Sequence, residues 1–114
     1  PRYVFEQDGS VLGFAYASKW KGRCAYRYSV ESTVHARQDN TSKGIGKLLY
    51  QHLIDSLKYE CKMHAIMAGI ALPNEVSIAL HERCGFQKVV HFKEVGFKFD
   101  KWIDVGYWEL LMTN

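Results

Sequence analysis

Asn40-Thr41-Ser42-Lys43-Gly44-Ile45-Gly46-Lys47-Leu48-Leu49 is a polar loop that ends in Gly-x-Gly and opens directly into an amphipathic pattern. Apolar residues follow at Ile45, Leu48, Leu49, Leu53, Ile54 and Leu57, a helical spacing that predicts a helix over 44–62. Ahead of the loop, residues 26–35 read as a strand. Tyr26, Tyr28, Val30, Ser32 and Val34 share one face, and Arg27, Ser29, Glu31, Thr33 and His35 share the other. Strand, glycine loop and helix in that order aim free backbone N–H groups at a phosphate. Glycines let the backbone approach closely, and the helix dipole favours the anion. A plain turn before a helix has the same signature, so the segment alone leaves both readings open.

The flanking sequence alternates strand and helix. Tyr3 to Phe5 and Val11 to Ala17 read as strands around Gln7-Asp8-Gly9-Ser10, where Asp-Gly signals a hairpin. Ser18 to Arg23 is polar apart from Trp20 and reads as a loop. His64 to Ile70 reads as a buried strand, broken by Leu72-Pro73-Asn74. Asn74 is a good N-cap for a helix running to about Cys84, with Gly85 as its stop. Phe86 to Val95 and Trp102 to Met112 read as two last strands around Lys98-Phe99-Asp100-Lys101. The order ββ-β-α-β-α-ββ implies an α/β sandwich with a mixed sheet, in one domain over residues 1–114.

Composition narrows the function. The 114 residues are 47% hydrophobic, as in a globular domain, and the net charge of +3 is scattered. That balance gives no reason to expect nucleic acid, but it is compatible with a small polyanion. No apolar run is long enough to span a membrane. Cys24, Cys61 and Cys84 are widely spaced and odd in number, which suits reduced thiols and a cytoplasmic location. Neither they nor the histidines have metal-ligand spacing. The chain opens at Pro1 already in a strand pattern, which suggests that an upstream segment is absent.

Two residues stand out chemically. Glu31 sits mid-strand, where acidic residues are depleted. It is either a solvated strand-face charge paired with Arg27 or a general base beside a cleft. His81 lies one turn after Ser77 on the short helix, so the two share a face. It is either structural or an acid–base group. Arg37, Lys43 and Lys47 surround the glycine loop, where phosphate counter-charges would sit.

Several ordered motifs resemble the GCN5-related N-acetyltransferase superfamily, and within it the phosphinothricin N-acetyltransferases. They are Ala25-Tyr26, Val30-Glu31-Ser32-Thr33-Val34, Thr41-Ser42-Lys43-Gly44-Ile45-Gly46, Leu72-Pro73-Asn74, Ser77, Leu80-His81-Glu82, Gly85-Phe86, Val95-Gly96-Phe97-Lys98 and Trp102-Ile103-Asp104-Val105-Gly106-Tyr107-Trp108. The resemblance implies a mostly antiparallel mixed sheet flanked by helices, here lacking the family's first strand and first two helices. It implies acetyl-CoA as cofactor, with its pyrophosphate over residues Thr41 to Lys47. Val34 and Ala36 would meet the pantetheine arm and thioester, and Asn74 and Ser77 would hydrogen-bond the cofactor. Glu31 would be the general base, and His81 the acid or a cofactor-orienting group. Thr41 stands where the family motif has Gln or Arg, which removes a long donor. Arg23, Tyr26 and Lys98 lie in segments that would meet a small amino-acid acceptor such as phosphinothricin or methionine sulfoximine. A homodimer is also implied, using the aromatic last strands. The alternative is a non-catalytic CoA-binding or interaction module of the same fold.

Overall fold

The computed structural model describes residues 2–7, 10–20, 28–36 and 44–112. Six strands form one sheet: β1 (Arg2–Gln7), β2 (Ser10–Lys19), β3 (Ser29–Ala36), β4 (Ala65–Ala71), β5 (Gln87–Lys98) and β6 (Lys101–Leu111). Their order is β1-β2-β3-β4-β6-β5, and every pairing is antiparallel except β3–β4. The parallel pair is joined through α1 (Ile45–Asp55), as a parallel connection requires a crossover. The helix α2 (Glu75–Arg83) follows β4.

Both helices cover the same face. Ile45, Leu49, Tyr50, Leu53 and Ile54 of α1, with Leu57 just beyond it, are buried against Ala15, Val30, Ile66, Ala68 and Ile70 of the sheet; Leu48, expected in this stripe, is exposed because it lies on the outer side of the helix. Tyr50 also bonds the Ser32 hydroxyl of β3 and stacks on Phe86, with ring centroids 5.4 Å apart. Trp108 of β6 is 1% exposed and donates its indole N–H to Glu82 of α2 at 3.1 Å. Among the described residues, no helix covers the opposite face.

Four boundaries differ from the sequence expectation. The strand expected to end at Ala17 continues to Lys19, because Ser18 and Lys19 pair with Glu31 and Val30. Ladder pairing overrides their polarity. The helix expected over 44–62 is α-helical only to Asp55 and then widens into a π-helical turn, Ser56–Glu60. There Cys61 N–H donates to Ser56 O at 3.0 Å, which keeps Ser56 and Leu57 buried as the helix ends. The strand expected from Tyr26 starts at Ser29; Tyr26 and Arg27 lie outside the described residues. The last hairpin is longer than expected because its turn is only Phe99-Asp100, both left-handed with φ 52° and 59°. Two left-handed residues match the twist of the flanking strands, so pairing runs up to Lys98 and Lys101.

Gly106 fixes the packing under α2. A Cβ there would sit 2.6 Å from a ring carbon of Trp108, so the indole lies flat across the glycine. Gly106→Ala is expected to destabilise the fold by about 1–3 kcal/mol through overpacking. Gly96→Ala, where the nearest atoms lie at 3.9 Å, should stay within about 0.5 kcal/mol of the parent. Urea unfolding of both variants checks this, and equal midpoints would show that Trp108 has room to move.

Candidate active site

The parallel pairing of β3 with β4 covers only Ser29↔Ala65, Val30↔Ile66 and Glu31↔Met67. Beyond it β3 stays with β2 as far as Ala36↔Gly13, and β4 stays with β6 as far as Ala71↔Val105. The two strands therefore splay, with Glu31 at the closed end of the wedge. Past Glu31, the edge of β3 turned toward β4 has no strand partner. Val34 and the backbone of Ala36 lie along that edge.

Both helix N-termini stand at the open end, because β3 and β4 are parallel and each leads into a helix. Gly44 is the N-cap of α1, exposed and left-handed at φ 74°. Among the described residues no side chain caps this end, and the first turn has no acidic residue. Its orphan N–H groups and dipole thus suit an anion. Ile45 is buried in the core, so only its backbone can serve a ligand, and Gly46 is buried beside it. Lys47 is exposed in the first turn. Thr41, Ser42 and Lys43, the other half of the expected phosphate loop, lie outside the described residues, as do Arg23 and Tyr26. At α2, the Asn74 side chain accepts from Ser77 N–H at 3.1 Å, so its oxygen is committed to capping and its amide N–H groups remain as donors.

His81 and Glu31 occupy different faces. His81 is 4% exposed, edge-on to Tyr50 and Phe86 at 4.9 and 5.2 Å. Its Nδ1–H donates to the Ser77 carbonyl at 2.7 Å, and the Ser77 hydroxyl is 3.5 Å away. Burial pushes the imidazole below its ordinary value despite that bond, so it is held neutral. Two further groups packed on the helix face, Tyr50 and Cys84, are held neutral too. Burial pushes the Tyr50 phenol up, and it pushes up the Cys84 thiol against the pull of Lys47 and Arg83.

Glu31 is half-buried on the open face and forms no hydrogen bond or ion pair with a described residue. Arg27, its expected partner, lies outside the described residues. Next to Glu31 lies a cavity of about 390 Å³ lined by Trp20, Met67, Val89, Val90, Phe92 and Tyr107. Sequence reasoning passed over this group, although a glycine inside a strand, Gly69, signals a close approach that leads to it. Lys98 is not brought to Glu31 within one chain. It pairs with Lys101 at the hairpin tip, whereas the row through Glu31 and Met67 continues to Glu109. That separation is on the order of 25 Å along β6.

A splayed parallel pair, a carboxylate at its closed end and two helix N-termini at its open end are the arrangement of an acyl-CoA-dependent N-acyltransferase fold. Residues 2–106 match the family model described as acetyltransferase (GNAT) domain, and the chain belongs to that family. It is 39% identical to a phosphinothricin N-acetyltransferase of Streptomyces viridochromogenes over 96% of this chain and 59% of that protein. It is 36% identical to an L-methionine sulfoximine/L-methionine sulfone acetyltransferase of Salmonella typhimurium over 100% of this chain and 66% of that one. The crystal structure of a phosphinothricin acetyltransferase from Sinorhizobium meliloti, in complex with acetyl-CoA, superposes with a TM-score of 0.90 at 33% identity, covering 97% of this chain and 60% of that one. The chain therefore spans about three fifths to two thirds of the length of these relatives.

The buried imidazole has a consequence for stability. Because the folded state depresses its value below 6.5, the unfolded chain binds the proton more readily. The His81 contribution is fully present above pH 6.5 and is lost as pH falls toward the folded-state value. His81→Gln keeps an N–H donor for Ser77 O and removes the titration. Its melting temperature should fall less steeply than the parent's between pH 7 and 5. Parallel curves for the two proteins would place the acid sensitivity elsewhere.

Proposed function

We propose that the protein is an acetyl-CoA-dependent N-acetyltransferase whose acceptor is the amine of a small amino acid of the phosphinothricin or methionine sulfoximine type. The observation that carries this is the wedge itself, which joins Glu31 to the uncapped α1 N-terminus across one open strand edge. The relatives named above act on such acceptors.

Acetyl-CoA, when bound, supplies the activated acetyl group. The residues here fit it: the first turn of α1 with Lys47 for the pyrophosphate, the free edge of β3 at Val34 and Ala36 for the amide-bearing arm, and Asn74 and Ser77 beside it. Glu31 receives the proton that the acceptor amine must shed, directly or through one water. The required deprotonation is modest for an α-amine, since with a pKa near 8 roughly a tenth is neutral at pH 7. A lysine side chain near 10.4 is neutral about once in a few thousand molecules, which favours a small amino acid over a protein lysine. Backbone N–H groups on the free edge of β3 are positioned to steady an oxyanion. Neutral His81, with its Nδ1 proton committed to Ser77, acts as a positioning residue that holds Tyr50 and α2 against the wedge.

Two variants separate binding from chemistry. Glu31→Gln should lower turnover on the order of 10²-fold or more, with acetyl-CoA affinity nearly kept and the deficit shrinking at high pH. Gly44→Val should weaken acetyl-CoA binding. A Cβ there meets no atom of the described residues within 4 Å, so the effect comes from the left-handed backbone and from a side chain placed where phosphate approaches. Steady-state rates and calorimetry decide both. Tight acetyl-CoA binding with no amine acetylated by the parent would favour the non-catalytic alternative.

We propose further that two copies pair through the β5–β6 hairpin. Phe97, Phe99 and Trp102 are 60%, 86% and 64% exposed there, and Phe99 holds a left-handed conformation that a bulky residue adopts only at a cost. Aromatic side chains of this kind are enriched at interfaces. Light scattering at micromolar concentration should give a dimer mass that Phe99→Ser with Trp102→Ser shifts toward monomer. A concentration-independent monomer for the parent would refute the pairing.

A further inference from the structure

Tyr107 is placed by a second glycine. It pairs with Gly69 across β4–β6, and a Cβ at Gly69 would lie 3.0 Å from its Cζ, 3.2 Å from a ring carbon and 3.3 Å from its hydroxyl. The far end of the phenol therefore lies over β4, and the ring leans from β6 toward the wedge. Gly69 is two positions along β4 from Met67, the partner of Glu31. Trp20 and Phe92 grip the ring edge-on from either side, with centroids at 5.5 and 6.2 Å. No hydrogen bond holds the Tyr107 hydroxyl among the described residues. Burial and then the Glu31 charge push this phenol above its ordinary value, so it stays a proton-bearing donor.

The open face thus presents two polar functions at one end of an otherwise apolar cavity. One is a carboxylate that attracts an ammonium group; the other is a neutral donor that attracts an anion. An α-amino acid carries the matching pair on a single carbon. Among the described residues the remaining lining, Met67, Val89, Val90 and Phe92 with Trp20, carries no charge.

Resting on the acetyltransferase reading above, we propose that Tyr107, seated in the Gly69 notch, determines acceptor specificity by donating a hydrogen bond to the α-carboxylate of an amino acid whose amine faces Glu31. Of the two acceptor types proposed above, this site favours the methionine sulfoximine type, whose side chain is uncharged, over phosphinothricin, whose phosphinate is anionic. Tyr107 binds and orients; it moves no proton in the transfer.

The test is a cycle between enzyme and acceptor on the full-length protein. L-methionine sulfone is compared with 3-(methylsulfonyl)propylamine, the same molecule without its carboxylate, for the parent and Tyr107→Phe. Differences in amine basicity cancel in the ratio of ratios. The preference for the amino acid, as kcat/KM, should fall by about tenfold or more in Tyr107→Phe, mostly through KM. Acetyl-CoA affinity should not change. Gly69→Ala, which displaces the ring while leaving the hydroxyl chemistry intact, should move the preference in the same direction. An equal loss for both acceptors, or a fall in kcat with the preference unchanged, overturns the assignment while the acetyltransferase reading stands. A parent enzyme that acetylates neither acceptor nor any other small amine overturns both.

Discussion

The weakest pairing in the sheet decides where the chemistry sits. Parallel ladders are slightly less stable per residue than antiparallel ones, and β3–β4 is the single parallel pair. Each of these strands also has a longer antiparallel neighbour, β2 for β3 and β6 for β4. As the sheet twists, each strand keeps its stronger partner and the parallel ladder gives way after Glu31 and Met67. The opening has backbone groups with no strand partner on one edge and a helix N-terminus beyond each strand. Nothing else in the site needs a special device: Glu31 faces the opening because strand parity puts it there.

Two glycines give the sheet its two different faces. Gly106 lets Trp108 lie flat under α2, which closes the helix side; Gly69 lets Tyr107 lie flat on the other side, which leaves a shallow apolar floor. The rings come from adjacent positions on β6, so period-two alternation sends them to opposite faces. A substitution at either glycine would disturb one face and leave the other nearly intact. The packing of the two faces is thus separable in this sheet, although they share a strand.

Much of the scaffold was legible in the sequence because local chemistry and tertiary packing agree. Asn74 caps and Gly85 stops α2 as expected, and the apolar stripe from Ile45 to Leu57 is buried except for Leu48, which faces out. The strand ends were less legible. Ser18 and Lys19 look like loop residues, and only their partners across the ladder make them strand. The π-helical turn after Asp55 had no local signal, since it serves the burial of Leu57 rather than any propensity. In the site, parity placed Glu31 correctly opposite Val30 and Ser32. The cavity beside it was illegible because it is assembled from three strands and the residue after β2, and a single strand's alternation cannot say which neighbours lean together. Lys98 shows the converse. Motif order placed it with the acceptor, but register puts it at the hairpin tip.

The two faces of the sheet also differ electrostatically. On the helix face, burial holds Tyr50, His81 and Cys84 in their neutral forms. A charged group there would have to be desolvated without a partner, which the packed core does not supply. On the open face, Glu31 is half-buried and has no described counter-ion. The open face thus carries a carboxylate, whereas the packed core around His81 carries neutral groups. An imidazolium at position 81 would reverse this polarity, and burial is what opposes it.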